Sequence, residues 1–217
     1  YWSLMIQTFG HIDHYKNLNY LEYELFRNNN SIGKHTYEFI RNGDELVVKS
    51  EVDFKIKKFN IILYNYYAIS EENYKNSKFY SFKSKTNQNK KEKFVNISLD
   101  ESEDLLKVDG SSFKGNTSKE NIIGTWWNHE IVKAKAQISA VSGRIINQKV
   151  TFVGKEKVTI GNKTYDTIHF NFSSSDKSLP DNKKLNTDIW YEEKSKMWVK
   201  AAFDKRGYWE YRLKEFR

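Results

Sequence analysis

The chain has 217 residues, with 36 Lys and Arg against 28 Asp and Glu for a formal net charge of +8. That length suits a single domain, and 38% apolar with 16% aromatic residues supplies a core that disordered chains lack. No Cys is present, which excludes disulfides, Fe–S clusters, thiol catalysis and Cys-ligated zinc, and no apolar run approaches the roughly 18 residues of a membrane-spanning helix.

Residues 2–10 are mildly apolar and end on Gly10. They read either as the tail of a secretory signal or as an ordinary N-terminal strand, so residues 1–19 are set apart from a single β domain over 20–217. His11 and His14 flank Asp13 at a spacing that faces one way on a helix, with His35 or His129 available as a further ligand. Imidazole pairs are common without metal, and no metal site is assigned.

Strand rhythm starts at Tyr20–Phe26, and Asn28 to Gly33 supplies a turn. Lys34–Arg41, Asn42-Gly43-Asp44 and Leu46–Ile56 then form a hairpin signal. In its second strand Leu46, Val48, Val52, Phe54 and Ile56 alternate with Lys49, Glu51, Asp53 and Lys55, which places the first set inward and the second in water. Residues 59–69 are too densely apolar for a strand with one wet face. They predict either a strand covered on both sides or one whose aromatic rings line a cavity.

Lys78–Thr86 and Lys93–Leu99 continue the meander. Lysines at 75, 78, 83, 85, 90, 91 and 93, interleaved with Phe79, Tyr80 and Phe82, would suit a nucleic acid or an anionic membrane surface. No RNA-binding aromatic pattern accompanies them, so a solvated hairpin is the simpler reading and no nucleic-acid partner is expected. Residues 100–118 read as a loop with an acidic knot at Asp100, Glu101, Glu103 and Asp104. Asn128–Ser139 has helical composition behind an Asn N-cap. Strands return over 145–153, 157–160, 164–172, 187–191, 197–203 and 208–216. The sum is a mainly β protein, a curved antiparallel sheet or open half-barrel of about ten to twelve strands with one or two short helices.

No GxSxG, GxGxxG, Walker-type loop or HExxH is present. His169 sits on a polar strand face with Tyr165, Thr167 and Asn171. Glu71-Glu72 and Glu192-Glu193 are adjacent, so their members point to opposite faces and read as surface charge. No catalytic residue and no cofactor follow from these patterns. Tyr64, Tyr66, Tyr67, Trp126, Trp127, Trp190, Trp198 and Trp209 either line a pocket or fill a wide β interior.

Several segments taken in order carry a resemblance. They are Ile32–Phe39 (IGKHTYEF), Val48–Phe54, Tyr64–Tyr67, Trp126-Trp127-Asn128, Ser142-Gly143-Arg144, Ile189-Trp190-Tyr191 and Tyr208–Tyr211. Together they resemble the DUF6134 family of bacterial envelope proteins, related to DUF3108, over most of residues 20–216. The resemblance implies the curved sheet of the outer-membrane lipoprotein carriers and of VioE, a violacein-pathway protein. It also implies a signal peptide and a periplasmic or envelope location, and it brings no established activity. The expected function is binding of a hydrophobic or aromatic, lipid-like ligand in an aromatic half-barrel, with Tyr64, Tyr66, Trp126, Trp127, Trp190 and His35 as its contacts. The alternatives are a VioE-like enzyme that orients a reactive intermediate, or a structural envelope protein with a filled core.

Overall fold

A computed structural model describes residues 15–217. The His11/His14 pair and the possible signal tail at 2–10 lie outside the described residues. The first half of the chain forms β1 (Tyr20–Arg27), β2 (Asn30–Asn42), β3 (Glu45–Lys58), β4 (Ile61–Lys75), β5 (Lys78–Gln88), β6 (Lys91–Asp100), β7 (Leu105–Gly110) and β8 (Lys114–Ser118). The second half forms β9 (Ile122–Ile123), β10 (Ala136–Ile138), β11 (Ile145–Ile160), β12 (Lys163–Ser174), β13 (Asn186–Glu192), β14 (Trp198–Asp204) and β15 (Tyr208–Phe216).

All belong to one 15-stranded sheet, more strands than the turn signals alone predict. Strands that follow one another in sequence mostly pair antiparallel, and β1 pairs with β15 to join the two meanders. Four of the hairpins turn on residue pairs with positive φ: Asn28-Asn29, Phe59-Asn60, Asn76-Ser77 and Asn89-Lys90. Two such residues give the turn whose twist matches that of the strands.

The alternation in β3 is as predicted. Val48, Val52 and Phe54 are buried, Lys49, Glu51 and Lys55 are exposed, and Ile56 and Asp53 are half-buried. Around this face the main core collects Trp127, Trp198, Tyr23, Tyr37, Phe39 and Tyr191.

The sheet curls until its two ends meet. Phe82, Val95, Ile97, Leu106 and Val108 of β5–β7 pack on Ile123 of β9 and Ile138 of β10. Ser84 donates to the Ala140 carbonyl at 2.6 Å, and the Ser112 amide donates to the Ser142 carbonyl at 2.9 Å. Gly110 is required at this seam, because a Cβ there would lie 2.5 Å from the Ser142 carbonyl oxygen. The segment carrying β9 and β10 therefore lies inside the curve.

Two expectations need correction. The stretch 128–139 is not an α-helix, and none occurs among the described residues. Asn128 does cap a turn, accepting from the Glu130 amide at 3.1 Å, but the turn is a 3-10 helix over His129–Lys133. The Gln148 side-chain Nε2 donates to the carbonyls of Ile131 and Ala134, both at 2.9 Å, and the chain then enters β10. The supposed loop 100–118 contains the β7–β8 hairpin, with irregular chain confined to short connections.

Candidate functional site

Where the sheet curves away from the inner segment, it leaves a hollow of about 630 Å³. Alternation along two paired strands builds its floor: Val52, Phe54 and Ile56 from β3, and Tyr64, Tyr66 and Ala68 from β4. Phe54 stacks on Tyr66 with centroids 4.7 Å apart and meets Trp209 edge-on at 5.3 Å. From the inner segment, Trp126 meets Tyr211 edge-on at 5.4 Å. Residues 59–69 are thus not covered on both sides. One face of β4 lines the hollow, Tyr67 lies exposed on the other, and Leu63 and Ile69 border the hollow while staying open to solvent.

Two ring nitrogens in this apolar setting lack partners. His35 Nε2 lies 3.1 Å from Ser50 Oγ, and its ring stacks on Tyr37 at 4.3 Å, but Nδ1 is buried without a hydrogen bond. Burial pushes the His35 pKa down to about 3, so the imidazole is neutral near pH 7. Trp126 Nε1 is likewise buried without an acceptor. Leaving a buried donor unmatched costs about 1–3 kcal/mol. Enclosure also pushes the Tyr66 hydroxyl up to about 12, so it too stays neutral.

The mouth is basic. Arg27 lies with its guanidinium carbon 6.0 Å from the Trp209 ring centroid and donates to the Arg206 carbonyl. The Tyr208 amide donates to Asn28 Oδ1 at 2.9 Å, which holds the β14–β15 turn beside the β1–β2 turn. Lys205 has its pKa lowered, first by burial and then by Arg144, Arg206 and Lys93 nearby.

Four of the predicted contacts, Tyr64, Tyr66, Trp126 and His35, line this one hollow. Trp127 and Trp190 do not. Trp127 is buried in the main core, edge-on to Phe39 at 5.3 Å and Tyr74 at 5.9 Å. Trp190 stacks on His169 at 4.2 Å, with Lys200 Nζ 4.9 Å from its ring centroid. His169 is tied to Asp188 at 2.8 Å, and no metal-holding cluster of His and carboxylates occurs among the described residues.

Glu72, read from sequence as surface charge, is buried. Its Oε1 accepts from Thr125 Oγ1 at 2.7 Å and Trp127 Nε1 at 3.2 Å, and its Oε2 accepts from the Tyr74 hydroxyl at 2.8 Å. Desolvation raises its pKa against the pull of these donors. The signal was its phase: Glu72 lies on the same face of β4 as Tyr66, Ala68 and Tyr74. Phe54, Trp209 and Tyr211 also line the hollow, beyond the set proposed from sequence.

A family model described as "Domain of unknown function (DUF6134)" matches residues 23–214. No curated protein matches. Among solved structures, a DUF1329 family protein from Desulfovibrio piger ATCC 29098 is similar at 9% identity and a TM-score of 0.23, covering 95% of this chain and 88% of that one. An overlap that loose bears on neither the fold nor the site.

Proposed function

The chain belongs to the DUF6134 family, and from that premise we propose that it binds a lipid-like hydrophobic ligand in the aromatic hollow, as a carrier or binding protein of the cell envelope. The observation that carries this reading is an aromatic-walled space of about 630 Å³, one of whose lining residues, Trp126, has an unmatched buried donor, Nε1. Volumes of that order are typical of small-molecule sites, which pair apolar walls with a few placed polar groups. The ligand's apolar part lies on Phe54, Tyr64 and Tyr66, and burying it is worth about 25 cal/mol per Å². Its polar part accepts a hydrogen bond from Trp126 Nε1, and His35 Nδ1 provides a second polar contact.

Binding is favoured over catalysis by the partners of the titratable groups. His35 faces Ser50 rather than a carboxylate, and Glu72 is committed to its three donors away from the lining. A general acid–base pair needs two such groups within reach of one substrate.

Native mass spectrometry of protein purified from its own host tests the proposal. A retained apolar adduct, released on unfolding, is the expected result. Absence of any adduct, together with no uptake of a hydrophobic fluorescent probe by the purified chain, would overturn it.

A further inference from the structure

The β3–β4 hairpin outruns its neighbours. Pairing of β3 with β2 ends at Gly33 and Phe54, and pairing of β4 with β5 ends at Tyr66 and Gln88. The β3–β4 ladder itself continues to Lys58 and Ile61. Residues 55–58 and their partners therefore project as a two-stranded tip with both edges open, about 14 Å long at ~3.4 Å per residue.

This tip is apolar and open to solvent. Phe59 is 87% exposed, Ile61 65%, Ile62 52% and Leu63 55%. The last three are consecutive, so they point to both faces and no single internal contact surface accounts for them. Phe59 heads the turn at φ 50°, a left-handed conformation in which Asn or Gly is the ordinary choice. A bulky apolar ring kept at such a position, in water, contributes nothing to the hairpin's own stability.

Cations flank the apolar residues. Lys55, Lys57 and Lys58 are exposed on β3, and Lys58 Nζ lies 5.7 Å from the Phe59 ring centroid. The β5–β6 turn adds Lys90 beside the base of the tip, where the Asn89 amide donates to the Asn65 carbonyl at 2.7 Å. Below the tip, Ile56, Leu63 and Tyr64 run directly into the wall of the hollow.

We propose that the β3–β4 tip docks on an anionic bilayer, with Phe59, Ile61 and Ile62 entering the headgroup–acyl boundary and Lys55, Lys57 and Lys58 remaining at the phosphates. A lone tip that is apolar on both faces suits a medium that surrounds it, whereas a protein groove covers one face. Docking in this pose brings the mouth of the hollow to the lipid. The inference does not depend on what the hollow holds.

The test is flotation of the full chain with vesicles of phosphatidylcholine, alone and mixed with phosphatidylglycerol. Binding to the anionic vesicles that falls steeply with salt is expected. The triple variant Phe59→Ser, Ile61→Ser, Ile62→Ser should partition at least tenfold less, and Lys57→Gln and Lys58→Gln about fivefold less each. Lys75→Gln with Lys78→Gln, at the far end of β4 and of its neighbour β5, should change nothing. An unchanged urea midpoint for each variant shows that its fold is intact. Failure of the unmodified chain to bind anionic vesicles would overturn the proposal, as would equal binding by the triple variant. If the triple variant instead abolishes self-association of a chain that ignores vesicles, the tip is a protein contact and the bilayer assignment is wrong.

Discussion

Two neighbouring residues, Trp126 and Trp127, have opposite duties. Trp126 lines the hollow, so Trp126→Ala should weaken a hydrophobic probe about tenfold, as expected of an aromatic anchor, with little change in the urea midpoint. Trp127 is fully buried against Phe39 and Tyr74 and donates to Glu72, so Trp127→Ala should cost about 3–5 kcal/mol of unfolding free energy. A fluorescence titration and a urea melt on each variant separate the two effects. Which indole faces the hollow was not legible in the sequence, because the pair lies between strands, where period-two phase gives no direction. Tyr64 and Tyr66 were legible from the aromatic density of 59–69, and the phase of β4 is what separates them from the exposed Tyr67. The buried ionisable groups make opposite predictions for acid. His35 has its pKa depressed, so the unfolded chain binds more protons and stability is lost as pH falls from about 6.5 toward about 3. Glu72 has its pKa raised, so its stability contribution is present in acid and lost as pH rises from the ordinary carboxylate range through the raised value. Urea melts across pH should therefore lose less stability in acid for His35→Gln, and should lose the Glu72 component for Glu72→Gln.

At the scale of elements, strands were readable where one face is wet and the other dry. β3 shows this: its alternation separated its two faces, with Asp53 and Ile56 half-buried, while its place beside the hollow comes from the structure. The short helix expected behind the Asn128 cap does start there, but it ends at Lys133 for a tertiary reason, since the Gln148 side chain captures the carbonyls that a continuing helix would use. The β7–β8 hairpin was hidden by short strands containing Asp, Gly and Ser, which resemble loop composition. The seam between the sheet ends gives a further test. Gly110→Ala forces a methyl onto the Ser142 carbonyl, and an overpacked contact of this kind costs about 1–3 kcal/mol. Hydrogen exchange should show faster exchange at the Ser112 and Gly124 amides, both of which bond across or within the inner segment. The exposed lysines of β5 and β6 behave differently. Replacing Lys83, Lys85, Lys90 and Lys91 with Gln should leave affinity for a neutral probe in the hollow unchanged at physiological salt, because exposed charges are screened beyond about 8 Å.

Across the whole molecule, charge separates by end. The end with the hollow's mouth carries Arg27, Lys57, Lys58, Lys90, Lys205 and Arg206 against Asp204, and the opposite turns carry Asp44, Glu45, Asp100, Glu101, Glu103 and Asp104 against Lys75 and Lys78. Such a distribution orients the chain before contact with an anionic surface, and the association rate should fall steeply with ionic strength in stopped-flow mixing with anionic vesicles. The pairing of β1 with β15 has a consequence in time. Until Tyr208–Phe216 leaves the ribosome, the edge of β1 has no partner, and the core of Tyr23, Trp198 and Leu213 cannot assemble. Among the described strands the first thus waits for the last, and until then one edge of β1 stays unpaired, the kind of edge that invites chaperones.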